Sequence, residues 1–153
     1  MTEPGADPTS DPNPLPPGTT REAALEMARQ AMSNTLMERL GIEWLDIGTR
    51  RVVAQMPVEG NTQVYGHLHG GATGALCESI GSFGTAVITG LDKRVVGIEL
   101  SVHHLEAVRD GHITGIGTPL RVGRSVAVWD MQVEDDDGRL VAVARLTVAI
   151  REG

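Results

Sequence analysis

The chain has 153 residues, 41% of them apolar, which is enough for one domain with a packed core. Its formal net charge of -7 disfavours binding to nucleic acid, and its one cysteine, Cys77, excludes an intramolecular disulfide. No stretch is long and apolar enough to span a bilayer, and no signal-peptide core is visible. We therefore expect a cytoplasmic protein with neither a membrane nor a nucleic acid partner.

The N-terminal segment is rich in proline. Six of the eight prolines lie between residues 4 and 17, among Asp, Gly, Ser and Thr, and such a segment cannot bury an apolar face. We predict a disordered tail over residues 1–18 and a single domain over 19–153. Thr19 with Glu22 indicates a capping box, and the amphipathic pattern up to Gly41 predicts one helix over about 20–40.

Short elements follow this helix. Residues 42–47 and 51–56 flank Gly48-Thr49, and the second segment alternates apolar and polar residues, which predicts a hairpin. Residues 61–68 show no clear period and contain turn formers, so we predict a loop there.

The run from His69 to Thr89 consists almost entirely of small or apolar residues and is too long for one strand, which predicts a buried helix. Glu78 is its only carboxylate. Further on, four segments rich in Val, Ile, Thr and Leu are separated by turn sequences and predict a meander of four strands. These segments are 95–103, 112–119, 125–134 and 140–151.

A buried helix between an opening hairpin and a long antiparallel meander indicates the α+β class. The expected architecture is a curved antiparallel sheet wrapped around the long central helix.

The start of the buried helix is a candidate site. Gly70 and Gly71 expose backbone N–H groups that no side chain blocks, at the positive end of the helix dipole. Such donors stabilise an oxyanion as it forms. The alternative is that the two glycines only permit close packing.

Glu78 is a candidate catalytic carboxylate. It lies eight residues after Gly70, on roughly the same side of the helix and about 12 Å along its axis. The face around it is made of small residues, including Gly74, Ser82 and Thr85, so a ligand can approach closely. The alternative is a glutamate that reaches solvent or pairs with an arginine of the sheet.

The sequence also contains candidate residues for two other chemistries. The spacing of His67 and His69, with His103-His104 further on, could begin a metal site, but adjacent histidines point to opposite faces of a strand. We therefore expect no metal, with His69 as an orienting donor at the helix start and His103 as a wall of the same cavity. Cys77 lies among apolar neighbours, where a thiol stays protonated and inert.

The motif QVYGHLHGGA at residues 63–72, followed by Glu78 to Ser82, resembles the glutamate-dependent branch of the hotdog-fold acyl-CoA thioesterases. That branch includes phenylacetate-pathway, 4-hydroxybenzoyl-CoA, enterobactin-proofreading and dihydroxynaphthoyl-CoA thioesterases. The resemblance covers about residues 40–151. It continues through residues 95–99, 103–104, 119–124 and 145–147.

The resemblance implies roles for the catalytic residues. Glu78 would be the nucleophile or general base, and the Gly70 amide would bind the thioester oxygen. His69 and Gln63 would position the thioester, and Ser82 would help to place the attacking water.

It also implies a substrate site and an assembly. Gly71 and His103 would contact substrate. Several relatives carry Arg after the two histidines, whereas this chain has Leu105-Glu106, so Arg121 or Arg124 would meet the CoA phosphates. The family forms homodimers, commonly dimers of dimers, in which each site combines Glu from one subunit with the Gln-to-Gly loop of the other.

We therefore expect hydrolysis of an acyl-CoA, or acyl carrier protein, thioester, with an aromatic or hydroxyaromatic acyl group favoured. No cofactor is expected apart from coenzyme A as part of the substrate. The alternatives are an enoyl-CoA hydratase-type hotdog enzyme and a non-catalytic acyl-CoA-binding protein. Sequence alone leaves open whether Glu78 forms a covalent anhydride or activates water.

Overall fold

The computed structural model describes residues 11–153. Within them, two short helices precede a hairpin, a long helix and four strands. The helices are α1 (Arg21–Met32), α2 (Leu36–Arg39) and α3 (Gly70–Thr89), and the strands are β1 (Glu43–Ile47), β2 (Val52–Pro57), β3 (Arg94–His104), β4 (His112–Val122), β5 (Val126–Asp135) and β6 (Leu140–Arg151).

The six strands form one antiparallel sheet that wraps α3, which confirms the predicted α+β class and hotdog architecture. The predicted hairpin, buried helix and strand positions are also confirmed. The meander of four strands is wrong in one respect. The sheet order is β1-β2-β4-β5-β6-β3, so only β4, β5 and β6 form a meander, and β3 lies beside β6 at the sheet edge. The α3–β3 connection carries the chain across the sheet.

The helix predicted over 20–40 is broken. Its first part begins after Thr20, whose Oγ1 accepts a hydrogen bond from Ala23 N, so the cap is Thr20 rather than Thr19. Asn34 has a positive φ of 61°, a conformation that asparagine tolerates better than most residues and that cannot continue a helix. The chain therefore turns between α1 and α2.

Residues 1–10 of the predicted tail lie outside the described residues. From Asp11 onward the chain lies against the β1–β2 hairpin. Asn13 is buried, its Nδ2 donates to Asp46 and to the Arg51 carbonyl, and its Oδ1 accepts from the Arg51 amide. Partial burial would raise the pKa of Asp46, but hydrogen bonds from Arg51 and Asn13 and the charge of Arg21 hold it below its ordinary value.

Glycines let α3 pack closely on the sheet. The Ile80 side chain fills the space that a Cβ at Gly115 or Gly117 of β4 would occupy. On the helix, a Cβ at Gly81 or Gly84 would likewise crowd the fully buried Trp129. The helix is therefore held at a fixed height above the sheet, which sets the positions of its functional groups.

Among residues 11–153, no helix combines the length and apolar character needed to cross a bilayer.

Candidate active site

The first turn of α3 leaves one backbone donor open. His69 is the N-cap, and its Nδ1 accepts a hydrogen bond of 2.8 Å from Gly71 N. The N–H groups of Ala72 and Thr73 bond to the His69 carbonyl at 2.9 and 3.3 Å. Within the described residues only the Gly70 N–H of this turn has no partner, so Gly70 is the group that can bind a ligand oxygen.

This geometry fixes the hydrogen bonds on either side of Gly70. His69 Nδ1 accepts from Gly71 N–H, so Nε2 carries the proton of the neutral ring and is the donor that His69 retains. The predicted role of His69 as an orienting donor therefore stays a prediction that falls to Nε2. The Gly71 N–H is occupied by this bond, so a contact of Gly71 with substrate, which also stays a prediction, does not use that donor. Among the described residues, the Gly70 N–H is the one backbone donor of this turn without a partner.

The loop before α3 is a tight turn. Gln63 N donates to the His67 carbonyl at 2.8 Å, and Gly66 adopts a φ of 76° that favours glycine. The side chains of Gln63 and His67 also meet, with 3.5 Å between Nε2 and Nδ1. Tyr65 stands at the tip of this loop with 79% of its surface exposed.

A cavity of about 390 Å³ opens beside Gly70, and we call it the Gly70 cavity. Side chains of the Gln-to-Gly loop, of α3 and of the segment after β3 line it. They include Gln63, His67, Thr73, His104 and Glu106. Gln63 thus lies where it was predicted, next to the Gly70 donor.

His104, and not His103, lies at this site. A Cβ placed on Gly70 would lie 2.7 Å from His104 Nε2. His103 lies on the opposite face of β3, where its Nε2 is 3.4 Å from Ser101 Oγ. The prediction that His103 lines the same cavity as Gly70 is therefore wrong within one protomer.

A β-bulge is the reason. The register of β3 against β6 shifts between Gly97 and Glu99. Gly97 faces α3, and simple alternation would turn His103 the same way, but the extra residue reverses the alternation. Beyond the bulge Leu100 and Val102 face Gly74 of α3, where a Cβ would lie 3.6 and 3.9 Å from them, and His104 follows on that face.

Glu78 lies two turns further along α3. Its carboxylate is half-buried and rests on Gly97 of β3, where a Cβ would overlap Oε1. Within the described residues it forms no hydrogen bond and no ion pair with a side chain or backbone group. It borders a second cavity, of about 420 Å³, which we call the Glu78 cavity. The walls of this cavity are Thr35, Leu36, Met37, Ser79, Ser82, Phe83, Ala86, Lys93 and Val95.

The two halves of the predicted site therefore face different cavities of one protomer. No residue lines both the Gly70 cavity and the Glu78 cavity. Gly70 and Glu78 lie about 12 Å apart along α3, which is too far for one carbonyl group to contact both residues. Ser82 accompanies Glu78, as predicted, whereas Gln63 accompanies Gly70.

Arg121 and Arg124 lie apart from both groups. They are exposed and flank the turn between β4 and β5, and they line neither cavity. Their role in binding CoA stays a prediction.

Cys77 is fully buried next to Glu78, and burial raises the pKa of its thiol to about 12. It stays protonated near neutral pH, as predicted. The described part of the chain holds no group of three or more His, Cys, Asp or Glu side chains arranged around a metal position.

Comparison with known proteins identifies the family of this chain. The thioesterase superfamily model matches residues 65–142. The chain is 38% identical over 131 residues to the proofreading thioesterase EntH of Cronobacter turicensis, covering 85% of this chain and 96% of that protein. It is 37% identical over 131 residues to 1,4-dihydroxy-2-naphthoyl-CoA hydrolase of Escherichia coli, with the same coverage.

Solved structures agree as well. A thioesterase of Haemophilus influenzae superposes with a TM-score of 0.80 at 36% identity, covering 84% of this chain and 90% of the other. A mutant thioesterase of Pseudomonas aeruginosa gives a TM-score of 0.81 at 32% identity. Fold and matches together define a hotdog-fold thioester hydrolase. The chain belongs to the thioesterase superfamily.

Proposed function

We propose that this enzyme hydrolyses acyl-CoA thioesters, with Glu78 as the attacking or activating carboxylate and the Gly70 N–H as the oxyanion donor. The observation that carries the proposal is that one helix presents both groups free of partners within the described residues. Each of them faces a cavity. Few other roles suit a carboxylate left without a cation on an otherwise apolar helix.

The chemistry follows from the two groups. The thioester oxygen accepts a hydrogen bond from Gly70 N–H, which stabilises the negative charge that develops on it. Glu78 attacks the carbonyl carbon or removes a proton from a water molecule that does so. The C–S bond then breaks, and the products are a carboxylate and the thiol of CoA.

Gly70 and Glu78 lie about 12 Å apart along α3, so they can act on one substrate if each site combines Glu78 of one protomer with Gly70 of another. β3 is an edge strand of the described sheet, 11 residues long, and it exposes Val96 and Ile98. A long edge of this kind is protected when it pairs with another strand. A second copy of β3, antiparallel to the first, supplies that strand and gives a homodimer.

The register of this pairing is set by the site. Glu78 rests on Gly97 and Gly70 lies against His104, and Leu100 and Ser101 lie midway between those two β3 positions. A two-fold axis near Leu100 and Ser101 places Gly97 of each protomer opposite the second copy's His104. Each Glu78 then faces the Gly70 of the other chain. We also propose that two such dimers pair into a tetramer.

The acyl group would occupy the Glu78 cavity. Its walls include the apolar side chains of Met37, Phe83 and Val95, which suit an aromatic ring. One similar protein is named as a hydrolase of a dihydroxynaphthoyl ester of CoA, which is an aromatic thioester. We therefore propose an aromatic or hydroxyaromatic acyl group.

The CoA part would leave through the Gly70 cavity, which is lined by both polar and apolar side chains. Glu106 lies there, and none of the residues that line it is a lysine or an arginine. Arg121 and Arg124 of the neighbouring protomer are the proposed contacts for the CoA phosphates. We propose that the reaction takes place in the cytoplasm and needs no metal or added cofactor.

The experiment is a thiol-release assay on a panel of acyl-CoA esters with wild type and Glu78→Gln. We expect kcat to fall at least about 100-fold in the variant, because the amide can neither attack nor accept a proton. Glu59→Gln, in an exposed turn, is the matched control and should keep wild-type activity. Undiminished turnover in Glu78→Gln would remove Glu78 from the mechanism.

A further inference from the structure

The Glu78 cavity is a trough between α3 and β3. On the helix side, Glu78, Ser82 and Ala86 follow at intervals of four residues and share one face. On the strand side, Gly97 lies under Glu78, Val95 is the next position of the same alternation, and Lys93 lies in the bend just before the strand.

The two sides have matching lengths. Glu78 to Ala86 spans about 12 Å of helix, and Gly97 to Lys93 spans about 13 Å of chain at the strand repeat. Glu78 therefore lies at one end of the trough and Lys93 at the other. Apolar walls, Phe83 and Val95 among them, lie between the two.

Lys93 is the one cation among the described residues that line this trough. Its side chain is only 26% exposed, although it lies in the turn that precedes β3. Nζ donates to Glu152 at 2.7 Å and lies 3.4 Å from Asp92. The hydrogen bond to Glu152 and the nearby Asp92 raise the pKa of Lys93, so it stays charged at neutral pH.

The ammonium group has three donors, and its two acid neighbours occupy at most two of them. The remaining N–H can donate into the trough. Because Asp92 and Glu152 already balance the charge of Lys93, a neutral acceptor oxygen suits this position better than a second anion.

From this arrangement we infer that Lys93 is a specificity-determining residue that hydrogen-bonds an uncharged hydroxyl or carbonyl oxygen at the end of the acyl group distant from the thioester. The preferred substrates are then ring systems that carry an oxygen substituent on the side opposite the carboxyl carbon. This inference rests on the proposed function, because it places the thioester carbonyl beside Glu78.

The test compares kcat/KM for paired esters that differ by one oxygen, namely 4-hydroxybenzoyl-CoA against benzoyl-CoA and hydroxynaphthoyl-CoA against naphthoyl-CoA. The readout is the ratio within a pair, which cancels any general loss of activity. In Lys93→Met the ratio for the better pair should fall at least about tenfold, because a hydrogen bond to a charged donor is lost. Lys93→Arg, which keeps a donor, should retain most of the preference.

Glu152→Gln is the matched control, since it removes the ion pair with Glu152 and keeps the ammonium group and its contact with Asp92. Its ratio should stay near that of wild type. An unchanged ratio in Lys93→Met, or an equal fall in Glu152→Gln, would overturn the assignment of Lys93. If wild type hydrolyses both members of each pair equally well, the assignment of Lys93 fails and the proposed function stands. If wild type hydrolyses none of the esters, the proposed function itself fails.

Discussion

At the scale of single residues, Gly70 has two distinct properties. It supplies the free N–H at the start of α3, and its missing side chain leaves room for His104, whose Nε2 would be 2.7 Å from a Cβ. Substitution can separate these properties, because proline is well tolerated in the first position of a helix and lacks an N–H.

We predict that Gly70→Pro lowers kcat about 100- to 1,000-fold relative to Gly70→Ala. Both variants place a Cβ against His104, but only proline removes the oxyanion donor. Steady-state kinetics on a CoA ester that wild type hydrolyses measures the difference, and circular dichroism confirms that α3 is intact. Equal activities in the two variants would show that the donor takes no part in the reaction.

Single residues of the site differ in how well the sequence predicts them. The motif and its place at a helix start predict Glu78, Gly70 and Gln63 as site residues, and the structure places each of them beside a cavity. The choice between His103 and His104 could not be made, because it depends on the bulge between Gly97 and Glu99, which has no clear sequence signal. Which nitrogen of His69 is the donor depends on the hydrogen bond that the other nitrogen makes, and this bond has no sequence signal.

At the scale of elements, α3 is fixed to the sheet by a buried hydrogen bond as well as by apolar packing. Trp129 Nε1 of β5 donates to Thr85 Oγ1 at 2.8 Å, and both residues are 0% exposed. A buried indole N–H without a partner costs free energy.

We therefore predict that Thr85→Val, which keeps the shape of the side chain, lowers the free energy of unfolding by about 1–3 kcal/mol. Thr89→Val is the control, because the Thr89 hydroxyl bonds only to the Thr85 carbonyl at the end of the helix. Urea unfolding at fixed protein concentration measures both variants. Equal stabilities would mean that the Trp129 hydrogen bond contributes nothing.

Elements were predictable where their pattern is local. The length and apolar character of 69–89 and the alternation in the strands gave their positions correctly. The break at Asn34 was missed because the amphipathic pattern continues across it into α2. The place of β3 was missed because strand order depends on how the α3–β3 connection crosses the sheet, and not on the sequence of β3 itself.

At the scale of the whole molecule, the proposed shared site requires a dimer joined through β3. We predict that Ser101→Cys, near the proposed two-fold axis, forms a disulfide-linked dimer under mild oxidation, because paired strands bring these positions within disulfide range. Glu43→Cys on β1, the opposite edge strand, is the control and should stay monomeric on a non-reducing gel. Cys77 should not interfere, since it is buried. Similar crosslinking of both variants would argue against this register.

The site shared between two protomers is tested by complementation between two inactive variants, Glu78→Gln and Gly70→Pro. After unfolding and refolding together, half of the dimers are mixed, and each mixed dimer has one complete site if Glu78 and Gly70 come from different chains. We predict recovery of about a quarter of wild-type thioesterase activity. Activity no higher than that of the separate variants, in samples shown to contain mixed dimers, would contradict a site shared between two protomers.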